Sequence, residues 1–163
     1  MGNSGGMIVA RCAAAELLGI AGAAGFEEAC HGEDLAGEWA AVQYADRPVG
    51  GGTVVARQTG EPVFTVAYLD SDVGFVEAVT PLGSRWKALL NRKRAEGYGM
   101  PLDRYPVDPA VAGALAWAAA AGLTADAAGV RAALTGEEAL AEDLTDRLLV
   151  ALGIAPGAAA GAA

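Results

Sequence analysis

Residues 63–79 read VFTVAYLDSDVGFVEAV, two runs of β-branched and aromatic side chains on either side of Asp70-Ser71-Asp72. Runs of this kind are typical of strands, and an Asp-Ser-Asp segment between them has the chemistry of a tight turn. Two strands joined by so short a link pair with each other in antiparallel fashion. The segment therefore predicts a hairpin of two strands, Val63 to Leu69 and Val73 to Val79.

Two runs before this hairpin have the same texture, Glu38 to Tyr44 and Thr53 to Gln58. Links rich in glycine, proline and aspartate separate them, at residues 46–52 and 59–62. Consecutive strands with short links usually lie next to each other in a sheet. The central part of the chain therefore predicts a four-stranded antiparallel meander.

The N-terminal part, residues 8–30, has apolar side chains among alanines at helical spacing. Three glycines between Gly19 and Gly25 cost about 3 kcal/mol of helix propensity relative to alanine, so we expect a break there. The prediction is two helical pieces, the second of which begins or ends within Phe26 to Cys30.

The C-terminal half contains helix start and stop signals. Ser84 can cap a helix that continues to Glu96 and ends at Gly97. Further helices are predicted from Asp108 to Ala121, from Thr124 to Leu134, and from the capping box Thr135-Gly136-Glu137-Glu138 to Gly153. The fold class is therefore α+β, with an N-terminal helix, a four-stranded antiparallel meander and a C-terminal helical half. We expect one domain, residues 8–154, between a flexible leader (1–7) and an Ala/Gly tail (155–163).

Charge and hydropathy exclude several classes of function. The 163 residues include 20 acids and 11 bases, which gives a net charge of −9. Since nucleic-acid binding depends on neutralising phosphates, direct nucleic-acid binding is not expected. The continuously apolar or small stretch Val111 to Leu123 is too short to cross a bilayer, so no membrane association is expected either. These features predict a protein of the cytoplasm, or of a particle assembled there.

The chain has few residues suited to metal binding or nucleophilic catalysis. His31 is its only histidine, which excludes histidine-pair metal sites. Residues 30–34, Cys30-His31-Gly32-Glu33-Asp34, gather a thiol, an imidazole and two carboxylates, but adjacent residues on one element point in different directions. We interpret Cys30 as buried, and His31 and Gly32 as the end of a helix. Cys12 is interpreted as a second reduced core residue, so we expect no disulfide, metal or cofactor.

Five of the 11 bases fall in one short segment: Arg85, Lys87, Arg92, Lys93 and Arg94. No acid lies within this segment, while the rest of the chain has six bases against 20 acids. One interpretation is a solvated helix whose bases pair with acids of the same chain. The other is an electrostatic docking site for an acidic partner or for another copy of this acidic protein.

Carboxylates on the predicted sheet offer a different kind of site. Asp70 and Asp72 resemble the start of a cation-binding loop, but the spacing of glycine and glutamate beyond them is wrong for calcium, and a hairpin turn explains them. Glu77 lies among apolar residues in a predicted strand, and Glu38 begins another. A carboxylate buried in a sheet is a candidate site in a small enzyme or ligand-binding domain.

The absence of a catalytic constellation and the contrast between the basic segment and the acidic remainder favour a function by contact. We expect a non-catalytic structural or partner-binding protein, such as a subunit of a virion-like or other multi-subunit particle, or an immunity-type binder. Its partner would be another protein or copies of itself. The alternative is the small enzyme or ligand-binding domain that uses Glu77, Asp70 and Asp72.

Overall fold

In a computed structural model, which describes residues 2–156, the helices pack on a six-stranded antiparallel sheet. The strands are β1 (Gly6–Ala10), β2 (Cys30–Asp34), β3 (Ala40–Tyr44), β4 (Val63–Leu69), β5 (Val73–Val79) and β6 (Arg85–Leu90). The helices are α1 (Ala14–Ala23), α2 (Gly51–Thr59), α3 (Arg92–Gly97), α4 (Val107–Ala120), α5 (Ala127–Thr135) and α6 (Ala141–Leu152), with short 3-10 turns at Ala36–Glu38 and Leu102–Arg104. The strand order β2-β3-β1-β4-β5-β6 places β1 and β4 in the middle and β2 and β6 at the edges.

The hairpin of residues 63–79 is confirmed. β4 and β5 have the predicted bounds and pair in antiparallel register, with Val66 opposite Val76. In the turn, Asp70 and Ser71 adopt left-handed φ angles of 52° and 60°. Short polar side chains tolerate this conformation better than apolar ones, which is why the turn falls at this point.

The α+β class with an antiparallel sheet is confirmed, but the four-stranded meander is not, because the sheet has six strands and the second of the four predicted strands does not belong to it. Thr53 to Gln58, predicted as a strand, lies in α2. Val55 and Ala56 of this helix are fully buried. Left-handed glycines bound the helix at both ends, Gly50 at φ 72° and Gly60 at φ 71°. The β-branched residues that suggested a strand are overridden by these ends and by packing against the sheet.

The N-terminal prediction is also corrected. Gly6 and Met7, assigned to a flexible leader, belong to β1, which pairs with β3 on one side and β4 on the other. The helix α1 follows and ends at Ala23. No second helical piece forms, since the chain continues into strand β2 at Cys30.

The single helix predicted from Ser84 to Glu96 is wrong as well, because the segment contains a strand and a shorter helix. Residues 85–90 form β6 and residues 92–97 form α3. Asn91 separates them with a left-handed φ of 64°. Its side-chain amide holds the break in place by donating to the carbonyls of Asp72 and Glu138 and accepting from the Glu138 N–H.

The three later helices are confirmed, with shifted ends. α4 starts at Val107, one residue before the predicted cap, and α5 starts at Ala127. The predicted capping box does not begin the last helix, because α6 starts at Ala141. The predicted stop is correct, since Gly153 ends α6 with a φ of 100°.

Helices cover both faces of the sheet. α4, α5 and α6 cover one face and enclose a core that includes Phe64, Trp86 and Trp117. On the opposite face, α1 and α2 cover the β1, β3 and β4 side, while α3 and the segment after it cover β5 and β6. Among residues 2–156, no helix has both the length and the apolar character that a bilayer crossing requires.

The chain ends show how far the predicted leader and tail extend. The N–H of Gly2 donates to Asp70 Oδ1, and the carbonyl of Gly5 accepts from the Tyr68 N–H, so residues 2–5 follow the end of β4. Ala155 accepts a hydrogen bond from the Ala36 N–H. The rest of the predicted tail, residues 157–163, lies outside the described part of the chain.

Candidate functional site

The five clustered bases are divided between two elements. Arg85 and Lys87 are exposed on the edge strand β6, whereas Arg92, Lys93 and Arg94 lie in α3. At about 3.3 Å per residue, Arg85 lies about 17 Å and Lys87 about 10 Å from the end of β6 that leads to α3. The sequence segment therefore forms two small basic regions along one edge of the sheet.

Two bases of α3 make contacts within the chain. The guanidinium of Arg92 donates to the carbonyls of Tyr105 and Leu102, so it fixes the loop that follows α3. Arg94 forms an ion pair with Asp72, which also accepts a hydrogen bond from the Tyr98 hydroxyl. The Tyr98 hydrogen bond, followed by Arg94, lowers the pKa of Asp72. Of these two bases, Arg94 therefore pairs with an acid of the same chain, and Arg92 binds backbone carbonyls.

The edge of β6 is partly covered near Lys87. The Lys87 Nζ lies 4.7 Å from the centre of the Tyr105 ring, a cation–π contact. Tyr105 packs on one face of the sheet and Val107 on the other, so the chain crosses the β6 edge between them. Such a crossing protects an edge strand from pairing with other chains. Arg85 begins the strand two residues before Lys87 and lines the groove described below.

The predicted carboxylates are not brought together. Asp70 and Asp72 lie in the β4–β5 turn, where Asp70 accepts from the Gly2 N–H and Asp72 pairs with Arg94. Glu77 is half-buried on β5, opposite Lys87 of β6, about 17 Å along the strand from Asp72. The described cavities discussed below are lined by other residues than Glu77.

The segment 30–34 is an exposed edge strand, which corrects the interpretation of Cys30 as buried and of His31 as a helix end. All residues of β2 are exposed, and His31 has a left-handed φ of 52°. Cys12 is half-buried, and burial followed by repulsion from Glu16 raises the pKa of its thiol. Both cysteines are free thiols. Among residues 2–156, no three His, Cys, Asp or Glu side chains are arranged to hold a metal ion.

A groove lies at the end of the sheet where β4 and β6 begin and β5 ends. Its volume is about 490 Å³. The apolar part of its lining comes from the links before β4 and after β5, from β6 and from helix α4: Pro62, Pro81, Leu82, Trp86, Ala116, Trp117 and Ala120. Glu61 and Arg85 add one charge of each sign. A volume of this size accommodates several side chains of a partner or a small ligand.

Two tryptophans build the inner wall of the groove. The Trp117 Nε1–H donates to the Val79 carbonyl at 3.0 Å, which fixes that ring against β5. Trp86 is 6% exposed, and its buried Nε1–H has no hydrogen-bond partner among residues 2–156. Gly113 of α4 lies against the Trp86 side chain, so the helix approaches the strand closely at this point.

Leu82 stands at the mouth of this groove, at the tip of the β5–β6 turn. Two hydrogen bonds between Thr80 and Ser84 close the turn. The Thr80 N–H donates to the Ser84 carbonyl, and the Ser84 N–H donates to Thr80 Oγ1. Gly83 completes it with a φ of 97°. Leu82 is 98% exposed, so a large apolar side chain has no packing partner within the described chain. Sequence reasoning missed this residue because Pro-Leu-Gly-Ser is an ordinary turn sequence.

A second cleft, of about 560 Å³, adjoins the groove at Glu61 and is polar. Arg11 organises it by donating to the Ala121 carbonyl at the end of α4 and by lying 4.9 Å from the Trp39 ring centre. An Arg11 nitrogen and Glu61 Oε2 are 3.6 Å apart. Arg11 thus ties β1, α4 and the link before β4 together, which holds the floor of the neighbouring groove in place.

Comparison with known proteins gives no relative to which these features can be related. No family model, curated protein or solved structure matches the chain at a significant level.

Proposed function

We propose that this protein acts by binding another protein through the groove at the start of β4 and β6, and that it has no catalytic role. The single observation that supports this most directly is Leu82, which is 98% exposed beside an apolar groove. Exposed apolar residues scattered singly are ordinary, but an exposed leucine that continues an apolar groove forms a patch of the kind found in interfaces.

The energetics favour a contact of this kind. Transferring a fully exposed leucine side chain into an apolar environment contributes about 1.5–3 kcal/mol. Arg85 lies on the same groove and is exposed, so it can provide a charged contact at the rim. An apolar centre with charged residues around it is the usual arrangement of a protein interface.

The proposal covers a structural subunit of a virion-like or other multi-subunit particle and an immunity-type binder. Both work by contact alone and need neither cofactor nor metal. Its place would be the cytoplasm, or a particle assembled there. The negative net charge supports a protein partner over nucleic acid.

The test is a pair of substitutions at two equally exposed aliphatic residues. Val49 is 107% exposed in the loop before α2 and does not line the groove, so Val49→Asp is the matched control for Leu82→Asp. Each purified variant is compared with the wild type by light scattering and by quantitative affinity capture from extracts of the source organism.

We expect Leu82→Asp to weaken association at least about tenfold, the equivalent of 1.4 kcal/mol, while Val49→Asp leaves it unchanged. Thermal unfolding of both variants should match the wild type, because neither side chain is packed in the isolated chain. Equal association of wild type and Leu82→Asp would refute the groove as the binding surface.

A further inference from the structure

We infer that the groove binds a second copy of this chain, in a two-fold contact in which Leu82 of each copy enters the groove of the other. This inference rests on the proposed function and names the partner. Leu82 and the groove belong to one surface, since Leu82 itself lines the groove. A two-fold axis through that surface makes two identical contacts at once, as in most homodimers.

The charges on the groove distinguish a second copy from a generally acidic partner. Glu61 lies two residues before β4, and Arg85 begins β6. β5 lies between these two strands, so the starts of β4 and β6 are about 10 Å apart, the width of two strand spacings, and the two charges flank the groove. An acidic partner would place its charge near Glu61 as well as near Arg85. A two-fold axis that passes between the two charges instead places each Glu61 opposite the Arg85 of the other copy.

Both charged groups are available for such a pairing. The side chain of Glu61 is 37% exposed, and its contact with Arg11 is a loose 3.6 Å. Arg85 is exposed on the edge strand, beyond the point where the chain crosses β6 near Lys87. The burial of two leucines per dimer supplies the main attraction, and the two Glu61–Arg85 pairs set the orientation.

The experiment exchanges the two charges between copies. Glu61→Arg and Arg85→Glu are made separately, and dimerisation is measured by analytical ultracentrifugation for each variant and for their equimolar mixture. In either variant alone, the two-fold contact places like charges opposite each other. In the mixed dimer both pairs are again of opposite sign, so only the mixture can restore the contact.

Matched controls come from α3, which is remote from the groove. Lys93→Glu and Glu96→Arg make the same changes of net charge at exposed positions. We expect each groove variant to dimerise about tenfold or more weakly than wild type and the mixture to recover most of the loss, because like charges placed opposite each other at an interface strongly disfavour association. The control variants and their mixture should dimerise like the wild type.

Two results would overturn the inference. One is a wild type that stays monomeric up to its highest soluble concentration, and the other is a mixture that dimerises no better than its components. If Glu61→Arg does not fold because it has lost its contact with Arg11, Arg85→Glu and Leu82→Asp still test the inference. Unchanged dimerisation in both of these variants would contradict the two-fold contact. A third result separates this inference from the proposed function. If the wild type is monomeric but captures a different protein, and Leu82→Asp loses that capture, a second copy is not the partner and the proposed function still holds.

Discussion

The close approach of α4 to β6 at Gly113 allows a quantitative prediction. A Cβ added at Gly113 would lie 2.5 Å from the Trp86 Cβ and 3.1 Å from its Cγ. Carbon atoms in contact prefer about 3.5–4.0 Å, so the helix must move by roughly 1 Å or the indole must leave its position. Gly113→Ala is therefore an overpacking substitution, although it replaces the poorest helix former after proline with the best.

The two effects of Gly113→Ala oppose each other and can be separated. Alanine in a helix interior gains about 1 kcal/mol over glycine. Overpacking of a tight contact costs about 1–3 kcal/mol. Trp86 is nearly fully buried and packs against Phe64, with ring centres 6.4 Å apart, so it has little freedom to yield. The overpacking cost should therefore lie in the upper part of its range, about 2–3 kcal/mol, which leaves a net loss of about 1–2 kcal/mol in the free energy of unfolding.

Gly19 of α1 provides the control, because it is also inside a helix but has no heavy atom within 4 Å of an added Cβ. Gly19→Ala should therefore show the propensity gain alone, a stabilisation of about 0.5–1 kcal/mol. Urea unfolding followed by tryptophan fluorescence measures both variants. A Gly113→Ala variant as stable as Gly19→Ala would refute the close packing of α4 on Trp86, and with it the shape of the groove wall.

Three further predictions concern single side chains. Arg92→Gln should lower the free energy of unfolding by about 1–2 kcal/mol, because the Arg92 guanidinium donates hydrogen bonds to two loop carbonyls. The control Lys93→Gln should change it by less than about 0.5 kcal/mol, and urea unfolding measures both variants. A thiol count under denaturing conditions without reductant should give two free thiols per chain. In the folded state a thiol reagent should modify the exposed Cys30 before Cys12, because burial raises the pKa of the Cys12 thiol. Partial burial, followed by repulsion from neighbouring acids, raises the pKa of Asp146, so the folded state binds this proton more tightly than the unfolded state. Asp146→Asn should therefore raise the free energy of unfolding at neutral pH, where Asp146 of the wild type is charged. The gain should disappear at acidic pH, where Asp146 is protonated, and urea unfolding at both pH values measures it. An equal gain at both pH values would contradict this cause.

The parts of the fold that the sequence predicted correctly are those where local chemistry and packing agree. The hairpin of residues 63–79 combines strand formers with a turn whose Asp70 and Ser71 tolerate left-handed backbone. The end of α6 at Gly153 is predicted for the same reason, since glycine adopts the required φ without strain. In both places the backbone needs residues that tolerate a positive φ, and the sequence supplies them.

The errors occur where short segments carry conflicting signals. Residues 53–58 are rich in β-branched side chains, yet they form a helix because the glycines around them allow left-handed ends and because α2 buries its inner side on the sheet. Residues 85–90 lie between a possible helix cap, Ser84, and a helix stop, Gly97, yet exposed Arg85 and Lys87 alternate with buried Trp86 and Ala88 as in an edge strand. A single asparagine, Asn91, then separates the strand from α3, and its partners Asp72 and Glu138 are distant in sequence.

The candidate site could be predicted only in part, because charges that are close in sequence serve different purposes in the fold. Arg92 is directed to loop carbonyls and Arg94 to Asp72, so these two bases act within the chain. Arg85 remains on an apolar groove whose other half, Trp117 of α4, lies more than 30 residues later. The sequence left open whether the bases pair within the chain or form a docking site, and only the packing of α4 on β6 shows which base has an apolar surface beside it. Mixing Glu61→Arg with Arg85→Glu therefore tests the fold and the interface together. The pairing of the two charges between copies requires the groove, and the packing of α4 on β6 creates the groove.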